Sequence, residues 1–137
     1  MNGTPLRALL VATALLTSTV SPFAHHGSAS FDTERELVLE GTVTEWIWSN
    51  PHCFLKFDAA ESDGVVRNWA AEVSNPTDMT RRGWARTSFR PGDKVTVTVQ
   101  PVKNGAPVGR LRSVVLANGQ TLGTAGPAPA AAAQPPR

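Results

Sequence analysis

The chain carries one cysteine, Cys53, in 137 residues. An intramolecular disulfide is therefore excluded, and stability has to come from a packed core. A lone thiol inside the apolar stretch "HCFLKF" is expected to fill that core rather than to react. Histidine is nearly as scarce, with only His25, His26 and His52. The sequence lacks a nucleophile–base pair, a glycine-rich phosphate loop and paired carboxylates at a recognisable spacing. Enzymes are accordingly the weakest functional class, and a non-enzymatic binding protein is expected. Surplus charge is small, +2 overall, which argues against nucleic acid as a partner. No internal repeat is present. No apolar run approaches the ~20 residues needed to span a bilayer.

What is present begins with a short apolar stretch, "ALLVATALL" (Ala8–Leu16), behind the single charge of Arg7. "TSTVSPFA" follows and ends in Ala24. This is the order of a secretory signal, with cleavage expected after Ala24 and a periplasmic or secreted product beginning at His25. No cysteine follows closely enough to serve as a lipobox, so no retained membrane anchor is expected. The predicted organisation is a signal over 1–24, an N-terminal arm over 25–35, a domain over 36–123 and a tail over 124–137. The tail, "TAGPAPAAAAQPPR", is Ala/Pro-rich without apolar periodicity and predicts no fixed structure.

Strand signals dominate the middle of the chain. "ELVLEGTVTEWIW" alternates, with Leu37, Leu39, Val43 and Ile47 on one face, and Gly41 marks a bulge or bend. Further strands are predicted near 52–59, 65–73, 93–102 and 110–117, with a hairpin turn at "SDG" (Ser62–Gly64). Asn75 can cap and Pro76 can start a short helix that Gly83 stops, near 76–83. Three strands, a short helix and two more strands is the element order of an all-β, OB-like five-stranded Greek-key barrel. The expected core is Leu39, Val43, Ile47, Leu55, Phe57, Trp69, Val95, Val97, Val99, Leu111 and Val114.

The same alternation assigns Trp46, Trp48, His52, Phe54 and Glu72 to a shared outer face, beside Asn50 in the turn. Exposed aromatic area of this size marks a ligand or partner contact unless another segment or a bulge near Trp46 hides it. Charge is segregated along the chain. Ten acids and three bases lie between His25 and Asp78, and nine bases with only Asp93 follow. The two halves either neutralise one another in the fold or leave a basic patch for an acidic partner.

The motifs "HHGSASFD", "GTVTEWIWSNPH", "NWAAEV", "RRGW" and "RPGDKVTVTVQPVKNG" together resemble the small exported bacterial family DUF6152 over nearly all of the mature chain. The resemblance implies a secreted, β-rich protein and brings no activity with it. Cys53 departs from the family pattern, which favours an aromatic or aliphatic residue there.

The histidines suggest one specific chemistry. Cleavage after Ala24 would free the α-amine of His25, and an amine beside two imidazoles chelates Cu(II), while imidazole also suits Zn(II). A site of His25, His26 and His52, with Glu72 or Asp32 as oxygen ligand, is the metal expectation. A soluble terminus and a hydrogen-bonded His52 is the plainer one. The leading functional expectation is an exported accessory protein for a metal ion or a small ligand. The alternative is an interaction module that docks an exported protein through Trp46, Trp48, Asn50 and Phe54 and the basic second half.

Overall fold

In a computed structural model, residues 30–125 are described. The elements run β1 (Leu37–Ile47), β2 (Phe54–Ala60), β3 (Val66–Glu72), α1 (Pro76–Arg81), β4 (Lys94–Pro101), β5 (Val108–Leu116) and β6 (Thr121–Gly123). The first five strands form a closed barrel. Strand β1 pairs antiparallel with both β2 and β4, β2 with β3, and β4 with β5. A short parallel pairing of β3 with β5 completes the ring. This is the expected all-β, OB-like five-stranded barrel with its helix between the third and fourth strands. Among the described residues no helix is long and apolar enough to cross a membrane.

Strand β1 serves both halves of the barrel because it coils at Gly41, which is opposite Ala59 on β2 and Val95 on β4. A Cβ there would come 2.6 Å from the Asp58 carbonyl oxygen and 2.7 Å from the Phe57 ring. Only glycine permits the approach.

The β1 bulge lies three residues further on, between Val43 and Glu45. Val43 is opposite the buried Phe57, but beyond the extra residue Trp46 is opposite the buried Leu55 and Ile47 is opposite the half-buried Phe54. Because side chains alternate with period two, one inserted residue exchanges the two faces. Trp46 therefore turns toward the core, and Ile47 leaves it.

The helix begins where the sequence puts it. Asn75 caps it by accepting a 3.0 Å bond from the Asp78 N–H, Pro76 occupies the first turn, and Gly83 follows the last turn at φ +86°. Its buried face is Met79. The loop after it supplies core that the alternation of strands does not reveal. Trp84 is 1% exposed and Phe89 4%. Trp46 packs against both, at ring-centroid distances of 5.9 and 5.1 Å. Ten of the eleven expected core residues are buried, the exception being Ile47.

A sixth strand was not expected. The "NG" turn at Asn118–Gly119 folds Thr121–Gly123 back along Ser113–Val115. Thr124, assigned by composition to the tail, donates from both its N–H and its hydroxyl to the Arg112 carbonyl oxygen. At the other end, Phe31 is buried and bridges Val102, so the last residues of the N-terminal arm pack onto β4. The predicted signal over 1–24, His25, His26 and residues 126–137 lie outside the described residues.

Candidate functional site

Strands β3 and β5 run side by side for three residue pairs, ending at Glu72 opposite Arg110. Beyond that pair β3 turns into Val73, Ser74 and the helix, while β5 continues through Leu111 and Arg112. A cleft of about 300 Å³ opens where they part. Val73, Met79 and Leu111, all buried, line it from the core side. Around them stand the polar groups of His52, Glu72, Asp78, Arg82, Arg110 and Arg112.

Each of these is placed by a local rule. The β2–β3 ladder continues past the named strands, through Cys53 N–H to the Ser74 carbonyl and Val73 N–H to the Cys53 carbonyl. That ladder sets His52 beside the end of β3, where its Nδ1 contacts Glu72 Oε1. Arg82 follows the helix, one turn from Asp78, and its Nε lies 3.1 Å from the Asp78 carboxylate. It also donates to the Thr124 carbonyl oxygen, tying the helix end to the chain beyond β6. The Arg82 guanidinium, with the Ser74 hydroxyl beside it, holds the Asp78 carboxyl below the usual carboxylate range. On β5, Arg110 and Arg112 flank the buried Leu111 and both line the cleft, Arg112 as the extra residue of a bulge between the Val99–Leu111 and Thr98–Ser113 pairs. The Arg112 Nε is 3.6 Å from Glu36.

Arg110 is held differently. Its guanidinium carbon lies 4.8 Å from the centroid of the Phe31 ring. Among the described residues it has no ion-pairing carboxylate. Among the described residues the cleft thus presents three guanidinium groups against two carboxylates, with one guanidinium engaged only by an aromatic face.

The segregated charges do not simply cancel. Among the described residues, Arg112–Glu36 is the one ion pair that joins an acid of the first half to a base of the second over more than a helical turn. The other pairs lie within the first half or, for Arg82–Asp78, within one turn.

Of the residues expected to form a site, His52 and Glu72 do meet. Phe54 shares their outer face, directly opposite Glu72 in the β2–β3 register. Trp46 does not belong there. The bulge turns it inward, and its indole N–H donates to the Ala85 carbonyl at 3.0 Å. Trp48 follows it, half-buried with its ring 5.5 Å from that of Trp46. Asn50 is exposed and precedes a cis peptide bond to Pro51. The proposed tryptophan face is therefore corrected to Ile47 and Phe54. Asp32 sits on the arm, its N–H bonded to the Pro101 carbonyl and its carboxylate accepting from the Glu34 N–H. No group of three His, Cys, Asp or Glu side chains able to hold a metal occurs among the described residues. Cys53 is fully buried, and burial pushes its thiol up from the usual range.

The arginines were missed by the sequence reading as a site. The i, i+2 pair in "RLRSVV" signals an outward basic stripe, but its meeting with Arg82 depends on the parallel closure of β3 on β5. Comparison with curated proteins and with solved structures finds no match in either. A family model does match residues 12–111, most of the chain, and the protein belongs to that family, DUF6152, a family of unknown function.

Proposed function

We propose that this chain is an exported, non-enzymatic binding protein whose β3–β5 cleft takes a small anionic ligand. The observation that carries the reading is Arg110, a guanidinium at the mouth of a cleft with three arginines and, among the described residues, no carboxylate of its own. A guanidinium offers five donors in a planar fork suited to carboxylate or phosphate. The size supports a small ligand, since about 300 Å³ is at the lower end of the ~300–1,000 Å³ found for ligand pockets. Export rests on the Arg7, Ala8–Leu16, Ala24 order of the sequence.

The same cleft favours copper or zinc less. A dication on His52 and Glu72 would stand among three guanidinium groups, and repulsion between like charges opposes it. The interaction-module reading loses its main element with Trp46 turned inward.

Isothermal titration with small carboxylates and with inorganic phosphate tests the anion reading. Saturable binding that weakens at least tenfold in Arg110→Gln, and is unchanged in Lys94→Gln on another face of the barrel, is expected. No binding by the parent, or full binding by Arg110→Gln, would overturn it. Mass spectrometry of the exported protein, with and without Cu(II) and Zn(II), reports the first residue and any bound metal. A start at His25 and no retained metal are the expected results.

A further inference from the structure

Glu72 and Arg110 are direct register partners on adjacent strands. Their Cα atoms are thus about 4.8 Å apart and their side chains share a face. Opposite charges so placed ordinarily pair, yet these two are held apart. Glu72 turns to His52 and Arg110 to the Phe31 ring. The remaining charged groups of the cleft are already committed, Asp78 to Arg82 and Arg112 toward Glu36. Glu72 is engaged by His52 through Oε1 alone, so its second carboxylate oxygen and the Arg110 guanidinium stand side by side at the rim, above the apolar residues Val73, Met79 and Leu111.

We infer that the cleft's ligand is a zwitterion of the α-amino acid class, its carboxylate on Arg110, its ammonium on Glu72 and an apolar side chain toward Val73, Met79 and Leu111. This rests on the anion reading of the same cleft and narrows it. A simple anion would satisfy Arg110 but bring a second negative charge beside Glu72, of which His52 holds only Oε1. A ligand that carries ammonium and carboxylate on one carbon meets both anchors, and the small volume limits its side chain to a few carbons. Phe31 acts as a positioning residue, because its ring keeps the guanidinium of Arg110 from closing on Glu72.

Three probes of nearly equal size separate the possibilities in titrations of the exported protein: L-leucine, 4-methylpentanoate, which lacks the ammonium, and L-leucinamide, which lacks the carboxylate. Leucine should bind at least tenfold more tightly than either of the others. Glu72→Gln should reduce leucine to the level of 4-methylpentanoate while leaving 4-methylpentanoate unchanged or tighter, and Arg110→Gln should abolish both. Equal affinity of leucine and 4-methylpentanoate for the parent would overturn the zwitterion and leave the anion reading standing. Failure of the parent to bind any of the three, or phosphate, would overturn both. The parent comparison needs no variant, so the inference stays testable if Glu72→Gln misfolds, which loss of its cooperative thermal transition would report.

Discussion

Trp84 is the most informative side chain to remove. It is 1% exposed, packs its ring 5.9 Å from Trp46 and 5.6 Å from Phe89, and donates from Nε1 to the Gly123 carbonyl at 3.0 Å. It thereby joins the post-helix loop to the barrel core and to β6. Trp84→Ala removes the whole ring, and such truncations in a core cost about 3–5 kcal/mol. For the 96 residues from 30 to 125, an ordinary stability is roughly 5–14 kcal/mol, so the variant loses about a fifth or more of it. At ~4–8 °C per kcal/mol for a domain of this size, Tm should fall by at least about 12 °C. Trp84→Phe keeps most of the apolar contact and loses the hydrogen bond. The Gly123 carbonyl is half-buried, so water reaches it in part and the loss belongs at the low end of ~1–3 kcal/mol. Urea unfolding followed by far-ultraviolet circular dichroism gives both values. A loss below about 1 kcal/mol in Trp84→Ala, or equal losses in the two variants, would show that the ring is not the core element described above.

Three further outcomes follow from the same packing. Gly41→Ala forces a Cβ against the Asp58 carbonyl oxygen at 2.6 Å and should cost about 1–3 kcal/mol by urea unfolding, the range for overpacked cores; a neutral result would mean that β1 is not held that tightly against β2. Cys53 is fully buried with its thiol pushed up by burial, so it should resist alkylation at pH 8 in the folded protein and react promptly in urea, as read by mass spectrometry. Asp63 is held down from its ordinary 3.8 to about 2, first by its hydrogen bond from Arg67 and then by the Val65 N–H. A depressed folded value stabilises the hairpin above pH ~4 and loses that contribution as pH falls toward 2. An NMR titration should find Asp63 near 2 in the parent and raised part of the way back in Arg67→Gln, where the Val65 N–H bond remains; an unshifted parent would remove this acid dependence.

The sequence by itself determined the first five strands and the helix. Alternating apolar residues in "KVTVTVQ" and "HCFLKF", the Asn75–Pro76 helix start and the "SDG" turn are local signals, because each depends on chain geometry within a few residues. Those signals were enough to give strand order along the chain, the helix position and most of the core. Tertiary structure decided what the signals left open. Whether the β1 bulge fell at Gly41 or beyond it could not be read locally, since the extra residue is defined only against its partner strand. That single residue exchanged Trp46 with Ile47 and took both tryptophans from the expected aromatic face. Trp84, Phe89 and Met79 lie in a helix and loop with no strand periodicity, so only the barrel end that they fill identifies them as core. The site is of the same kind. Arg82, Arg110 and Arg112 are up to thirty residues apart and carry no spacing motif. They meet His52 and Glu72 because two parallel strands pair for three residues and then diverge, and that closure is a property of the folded barrel alone.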